Sequence, residues 1–397
     1  KVGYFVNTSG GVVTVTLPAS PSAGDVVAFK DYANTWQTNN LTIGNNGSKI
    51  NGTCGDAILS TKDQSVTLIY VDSTKGWRAV QDSTSAVCGA TFISATGGTI
   101  VTNGDFKTHI FTGAGNFVVS AGAGPLGIAE YLVVAGGAGG GSSSAPAGGM
   151  GGGGAGGFRL FTTAPGSNSP LNAPSALTIT PGSYPISIGA AGAACGVVTG
   201  LPGGNSIFST ITSTGGGGGG SSGTIQPPGG PPADEGNGLP GGSGGGGSYR
   251  NPGKNSVGGD GNTPPVSPPQ GQPGGQAGGA YPPNYPGSGG GGAGAAGGPG
   301  QPGNAGDGGV GSFVADPFIG PTAPSYGTPG PTSSTRYFAG GGGGAGSSGA
   351  GGSGGGAAGG GTGGAGTTNT GGGGGGGGFA VGGAGGSGIV MIRYKFQ

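Results

Sequence analysis

The run "GGGGGGGG" at residues 371–378 constrains this chain more than any other feature. Eight consecutive glycines offer no side chain to a hydrophobic core and no face to an amphipathic helix. Ordering them is expensive, because glycine loses more backbone freedom than any other residue. Only hydrogen bonds between neighbouring backbones can hold such a segment. The geometry that permits this is the three-fold extended helix of the polyproline-II type, which has no internal hydrogen bonds. A rod of this kind, surrounded by others at backbone spacing, has no room for a Cβ on any face. "GGGGGG" at 215–220 reads the same way. A rod on the outside can carry a side chain at every third position. Ala350, Ser353, Thr362, Ala365 and Thr368 share one register of three, interrupted by Ala357 and Ala358, and Val381, Ala384 and Ser387 share another. Glycine also recurs at every third position from Gly291 to Gly309. That burst is too short for a collagen triple helix, and is expected to form one rod of a glycine-walled bundle.

Of 113 glycines only 13 fall in residues 1–112, so the first part of the chain has ordinary globular composition. The alternative for the remainder is a flexible linker or disordered tract. Disordered tracts of this length carry net charge, whereas here 13 basic residues balance 13 acidic ones. The registers of three and the aliphatic segments "EYLVVAGG" and "GIVMIRYKF" that bracket the glycine region also favour a folded bundle. Charge balance leaves no basic stripe for nucleic acid. No apolar run approaches the length needed to span a bilayer, so membrane insertion is not expected. The chain opens at Lys1 without Met, and reads as processed or as part of something longer. Cys54, Cys88 and Cys195 match no disulfide framework or metal spacing; a Cys54–Cys88 bridge stays open, and free thiols are the expectation.

Residues 1–82 read as an all-β module: "GGVVTVTLPAS", "GDVVAFKDY", "NNLTIGNNG", "AILST" and "SVTLIYVDSTKGWRAVQ" are short strands separated by turn signals. Residues 83–90 read as a linker. Residues 91–135 supply further strands, "GDFKTHIFTG", "GNFVVSAG" and "AEYLVVAGG", at the entry to a glycine-rich domain over 136–397. Within it "ALTITPGSYPISIGAAG" reads as a β-hairpin turning at Pro181-Gly182, and 388–396 as a closing strand. The fold class expected is thus an all-β module followed by a bundle of polyglycine/polyproline-II helices with bracketing strands and essentially no α-helix.

No motif supports catalysis, a cofactor or a metal. "GAGPLG" at 122–127 has the glycine spacing of a dinucleotide loop but is followed by a strand rather than a helix. "SYRNPGKN" at 248–255 misses two positions of a phosphate loop. His109, the single histidine, has no second histidine or nearby cysteine to work with and reads as a satisfied strand residue. The Pro- and Asn-rich connectors are more informative. They carry Tyr249, Arg250, Tyr281, Tyr285, Phe318, Tyr326, Arg336 and Tyr337. Rigid aromatic rings with arginine are the usual anchors of recognition surfaces, and these eight residues are the candidate receptor contacts. The competing reading is that the rings plug the ends of the bundle.

"GYFVNTSGGVVTVTLPASPSAGDVVAFKDYANTWQTNNLTIGNNGSKI" with "SVTLIYVDSTKGWRAV" resembles a β-structured repeat module of bacteriophage tail fibres. "EYLVVAGG", "GGGGAGGFR", "PGSYPISIGAAG", "NSIFSTITSTGGGGGG" and "GGSGIVMIRYKF" resemble the glycine-rich domain at the ends of such fibres. The resemblance covers nearly the whole chain, and long Pro-rich connectors such as "VSPPQGQPGGQAGG" depart from it. It implies a non-enzymatic tail-tip adhesin on the virion, built on a sandwich of polyglycine-II helices. Its end loops would contact a host surface receptor, polysaccharide or outer-membrane protein. Other fibre subunits are implied as partners, and a homotrimer is compatible with it. Two other classes compete: a structural filament joined through strand edges, and an ice-binding protein, which needs a flat Thr/Ala face for which Ala350–Thr368 is the candidate.

Overall fold

The computed structural model describes residues 1–52, 54–83, 92–122, 127–143, 148–194, 196, 199–221, 236–249, 256–278 and 286–397. The chain divides into two compact units, Lys1–Ala90 and Thr91–Gln397. The linker expected at 83–90 falls, apart from Ser83, outside the described residues, as do Cys88 and Cys195; Cys54 is a free, exposed thiol.

Among its described residues the first unit holds seven strands: β1 (Val2–Val6), β2 (Val13–Thr16), β3 (Val26–Asp31), β4 (Leu41–Gly44), β5 (Ala57–Leu59), β6 (Ser65–Asp72) and β7 (Gly76–Ser83). They form two sheets, β1-β3-β6-β7 and β2-β4-β5, with β1–β3 and β2–β4 parallel. Alternation puts Phe29, Leu41, Ile43 and Leu68 into one core with Trp36 and Trp77. The carboxylate of buried Asp31 accepts the amides of Thr35, Trp36 and Asp63, which fixes the loops around it.

The second unit begins with β8 (Ser94–Thr96), β9 (Thr99–Asn103), β10 (Phe106–Phe111), β11 (Gly115–Ala121) and β12 (Ile128–Val134). It continues with β13 (Phe158–Phe161), β14 (Leu177–Thr178), β15 (Gly182–Ser187), β16 (Ser206–Phe208) and β17 (Ile211–Ser213). The last strands are β18 (Ser312–Ala315), β19 (Thr328–Pro329), β20 (Thr335–Phe338) and β21 (Ile389–Lys395), with a four-residue α-helix, α1 (Asp316–Ile319), and a 3-10 turn at Ala323–Ser325 between β18 and β19. The bracketing segments pair as their composition suggested: β12 lies antiparallel to β21, Glu130 opposite Arg393 and Val134 opposite Ile389. They sit at the centre of the sheet β13-β12-β21-β10-β9, while β17-β16-β15-β11-β8 forms a second sheet. Tyr131, Val133, Val390, Ile392 and Tyr394 meet Phe117, Ile186 and Phe208 in one core. Leu132, Val134, Ile389 and Met391 meet Leu160, Phe318 and Phe338 in another. Both faces of the central pair are therefore covered, which is why these strands read as unbroken apolar runs. The hairpin expected at Pro181-Gly182 does not form: β14 pairs with β12, and β15 with β11 and β16, so the chain crosses between partners there.

Beyond the sheets the strands run on as rods. β12 continues into 135–141, while 151–157 leads into β13, 199–204 into β16 and 382–388 into β21. In the rod 136–141 the amides point in three directions that repeat every three residues. Gly136 and Gly139 donate to Gly204 and Leu201, Gly137 and Gly140 to Gly386 and Gly383, and Ala138 and Gly141 to Gly154 and Gly151. Its carbonyls accept from three further rods, through Gly216 and Gly219, Gly192, and Gly374 and Gly377. A rod with six bonded neighbours is a polyglycine-II lattice. The rods 151–157, 243–248, 287–292, 340–345 and 371–378 are enclosed in the same manner. A Cβ added at Gly373 would lie 2.0 Å from the Gly153 carbonyl oxygen, and one at Gly140 would lie 2.1 Å from that of Gly375. These separations are far inside van der Waals contact, so the inner rods exclude side chains along most of their length.

The outer rods carry side chains at every third position, exposed in Ser187, Ala190 and Ala193 and in Val257, Asp260 and Thr263, and passing from exposed Val381 to half-buried Ala384 and Ser387. Two expectations need correction. Gly291–Gly309 is not one rod: the chain bends at 293–295 and turns at 301–304, so three antiparallel rods share the register. The Ala350–Thr368 register likewise spans three rods, turned at 353–355 and 361–362. Glycine spacing of three survives a turn because each rod contributes the same three-fold geometry.

Candidate functional site

The bundle has two unlike ends. Every rod runs between them, and successive rods are antiparallel. One end is closed by the sheets. At the other the described chain only reverses direction, at Gln301–Asn304, Gly346–Ser348, Gly361–Thr362 and Phe379–Val381. Described rods also reach this end at Ser143, Ser221, Tyr249 and Gly278, and others lead away from it at Gly148, Gly236, Ser256 and Pro286.

Of the eight candidate contact residues, the five that are described divide between the two ends. Tyr249 ends a rod at the turn end, where its amide donates to the Gly149 carbonyl at 2.7 Å and its side chain is buried. Arg250, Tyr281 and Tyr285 lie outside the described residues. The other four belong to the segment 312–338 at the sheet end, where β18-β20-β19 forms a small sheet. Phe318 is in the core beneath the central sheet, and its carbonyl accepts the Thr108 hydroxyl at 2.8 Å. Tyr326 packs half-buried on the same core. Arg336 spends its guanidinium on carbonyls of its own loop: Nε donates to Tyr326 at 2.7 Å, and Nη2 to Pro324 and Gly327 at 3.1 and 3.0 Å. Tyr337 is buried, 5.2 Å from the Phe313 ring centroid, with its hydroxyl 3.2 Å from that of Thr332. Phe318 and Tyr337 are thus core residues rather than surface anchors, and Arg336 pins a turn. Composition misled because the strands "SFVA" and "TRYF" are too short for their alternation to stand out from a Pro- and Gly-rich stretch.

Sequence reasoning passed over Phe379. Its side chain is 64% exposed at the turn end, and neighbouring Val381 is 42% exposed. The signal was present in the sequence: Phe379 is the single aromatic between Ala339 and Gly388, inside a pattern that otherwise rejects side chains.

Among the described residues the buried Glu, His and Arg side chains of the unit lie at the sheet end. Glu130 and Arg393 form a buried ion pair at 2.7 Å across β12–β21, and the Thr162 and Thr163 hydroxyls donate to the same carboxylate at 2.7 Å each. The Arg393 guanidinium lies 3.6 Å over the Phe106 ring. His109 is fully buried between Phe117 and Tyr394. Its Nδ1 meets the Gly97 carbonyl at 2.7 Å and its Nε2 the Tyr394 hydroxyl at 2.9 Å. A carbonyl can only accept, so Nδ1 carries the proton and Nε2 accepts from Tyr394 in the neutral ring. Burial lowers the His109 pKa, opposed by the Gly97 hydrogen bond and aided by Lys107. Burial also pushes Tyr394 up to about 12, against a backbone hydrogen bond at Ala95. These groups hold strands together. Among the described residues no group of three or more His, Cys, Asp or Glu could hold a metal ion, and no helix is long and apolar enough to cross a membrane.

A glycine-rich domain family matches residues 111–395, from the end of β10 to the end of β21, and the chain belongs to that family. No curated protein matches the chain at a significant level.

Proposed function

We propose that this glycine-rich protein is the receptor-binding tip of a bacteriophage tail fibre, displayed on the virion tail, which binds a host-cell surface receptor without chemistry. The observation that carries this reading is the inequality of the two ends of the bundle. One end is closed by packed sheets, and the other consists of turns on rods that are locked to as many as six neighbours. Loops on a scaffold too rigid to follow them are a common way to build a contact surface. The resemblance of residues 1–82 to a fibre module points the same way, and other fibre subunits are the structural partners this role entails.

Binding of fluorescently labelled protein to a panel of intact bacteria tests it. A version with residues 250–255 and 279–285 replaced by Gly-Ser of equal length runs alongside. Strain-selective staining, lost in that version, is the expected result. Absence of staining from every strain, with the protein folded, would count against the reading. A filament subunit is the second reading, favoured by β1: this edge strand of the first unit lacks charge and exposes Val2, Tyr4 and Phe5, the last to 76%. Long polymers of the purified protein in electron micrographs would turn the weight to it.

A further inference from the structure

We infer that the turn Phe379–Val381 is a stacking platform for an uncharged carbohydrate chain, an inference that rests on the receptor-binding reading and gives it a ligand class. Seven phenylalanines, Phe29, Phe111, Phe117, Phe158, Phe208, Phe318 and Phe338, are buried in the three cores. Phe379 stands in solvent, forgoing the roughly 2 kcal/mol that burial of such a ring provides. Nor is it on a loose loop. Its amide donates to Gly361 at 3.1 Å, the preceding Gly378 amide to Gly360 at 2.8 Å, and the Gly382 amide after the turn to the buried Ser142 hydroxyl at 2.7 Å. The backbone is tied to neighbouring rods on both sides of the ring, and the flat surface is pre-positioned.

The surroundings select the ligand. Exposed Thr362 and Ser348 lie on the adjacent turns, and glycine backbone fills the spaces between. No Asp, Glu, Lys or Arg occurs in the described reversals Gln301–Asn304, Gly346–Ser348, Gly361–Thr362 and Phe379–Val381, and the exposed carboxylate that follows the first of them, Asp307, accepts the Ala350 amide at 2.7 Å. A protein partner wants an anchor set in a well-packed patch that excludes water. Here the described turns offer one exposed ring, with Val381 beside it, and a scatter of small hydroxyl-bearing residues. A sugar ring matches this: its C–H face lies on the electron-rich face of the aromatic ring, while its hydroxyls exchange hydrogen bonds with serine, threonine and backbone.

The test uses the full chain and the variants Phe379→Ala and Phe379→Trp, with melting curves to establish that each is folded. Mobility is measured in gels containing soluble neutral polysaccharides (α-glucan, mannan, galactan and neutral O-antigen chains) or acidic polygalacturonate, with staining of intact bacteria in parallel. Retardation by at least one neutral polysaccharide is expected. Phe379→Ala should weaken it about thirtyfold, the effect of losing a dominant anchor. Phe379→Trp should retain it, with an indole emission shift on binding. Equal retardation of Phe379→Ala, preference for polygalacturonate, or no retardation in any gel overturns the inference. Staining that depends on Phe379 without polysaccharide binding also overturns it, in favour of a protein receptor, and leaves the receptor-binding reading standing. Polysaccharide binding without staining of any strain leaves the platform intact and removes the host-binding reading.

Discussion

The sheet end and the rod bundle of the second unit are made by the same strands, yet they are held together by opposite means. In β12 the side chains of Tyr131, Leu132, Val133 and Val134 are all buried, alternating between two cores. Past Ala135 the chain carries almost no side chains, and the rod bonds to six neighbours instead of lying in one sheet. The sheet gains stability from apolar area removed from water, at roughly 25 cal/mol per Å². The rods gain it from saturated backbone hydrogen bonds, each net about 1 kcal/mol, and from close backbone packing. The difference teaches that a protein interior needs complementary packing more than it needs side chains. It also predicts different weak points: the sheet is sensitive to lost volume, the bundle to added volume.

The largest effect is expected where volume is added to an inner rod. Gly373→Ala should destabilise the second unit by at least about 4 kcal/mol, the range of severe overpacking and backbone displacement. Gly361→Ala, at a turn where an added Cβ meets nothing closer than 3.9 Å, should change stability by less than about 0.5 kcal/mol. Urea midpoints of the two variants measure the contrast, and equal values would mean the rods are not close-packed. At the sheet end the matching change removes volume: Phe117→Ala should cost about 3–5 kcal/mol by leaving a cavity. Breaking the buried ion pair with Glu130→Ala should cost about as much, because Arg393 would stay buried without its partner.

A smaller effect separates the ends by pH, since the buried titrating groups belong to the sheets. Burial favours neutral His109, so its folded pKa lies below the unfolded value of about 6.5. Its contribution is complete above that pH and is lost as pH falls below it, when the unfolded chain takes up the proton first. Tyr394 stays protonated to about 12 when folded, against about 10 unfolded. Its contribution is complete below pH 10 and is lost between 10 and 12. Melting temperatures across pH 4–7 should fall less steeply on the acid side for a folded His109→Gln variant, and across 9–12 less steeply on the alkaline side for Tyr394→Phe. The smallest effects belong to exposed positions of the outermost rods: Thr362→Ala, Ala365→Ser and Thr368→Ala should each stay within about 0.5 kcal/mol.

The glycine runs and their registers of three were enough to call for a polyglycine-II bundle, because backbone spacing that excludes Cβ leaves a mark on every residue it touches. The pairing of "EYLVVAGG" with "GIVMIRYKF" was legible for a similar reason, since strands covered on both faces must be apolar throughout. Where the rods end was not legible, as Gly291–Gly309 illustrates: a turn between two rods is built from the same small residues as the rods, and the register passes through it unchanged. Nor could composition separate Phe318 and Tyr337, which the fold buries, from Phe379, which it leaves in water. Burial of a ring depends on which rods and sheets surround it, and that is decided by tertiary packing across hundreds of residues of chain.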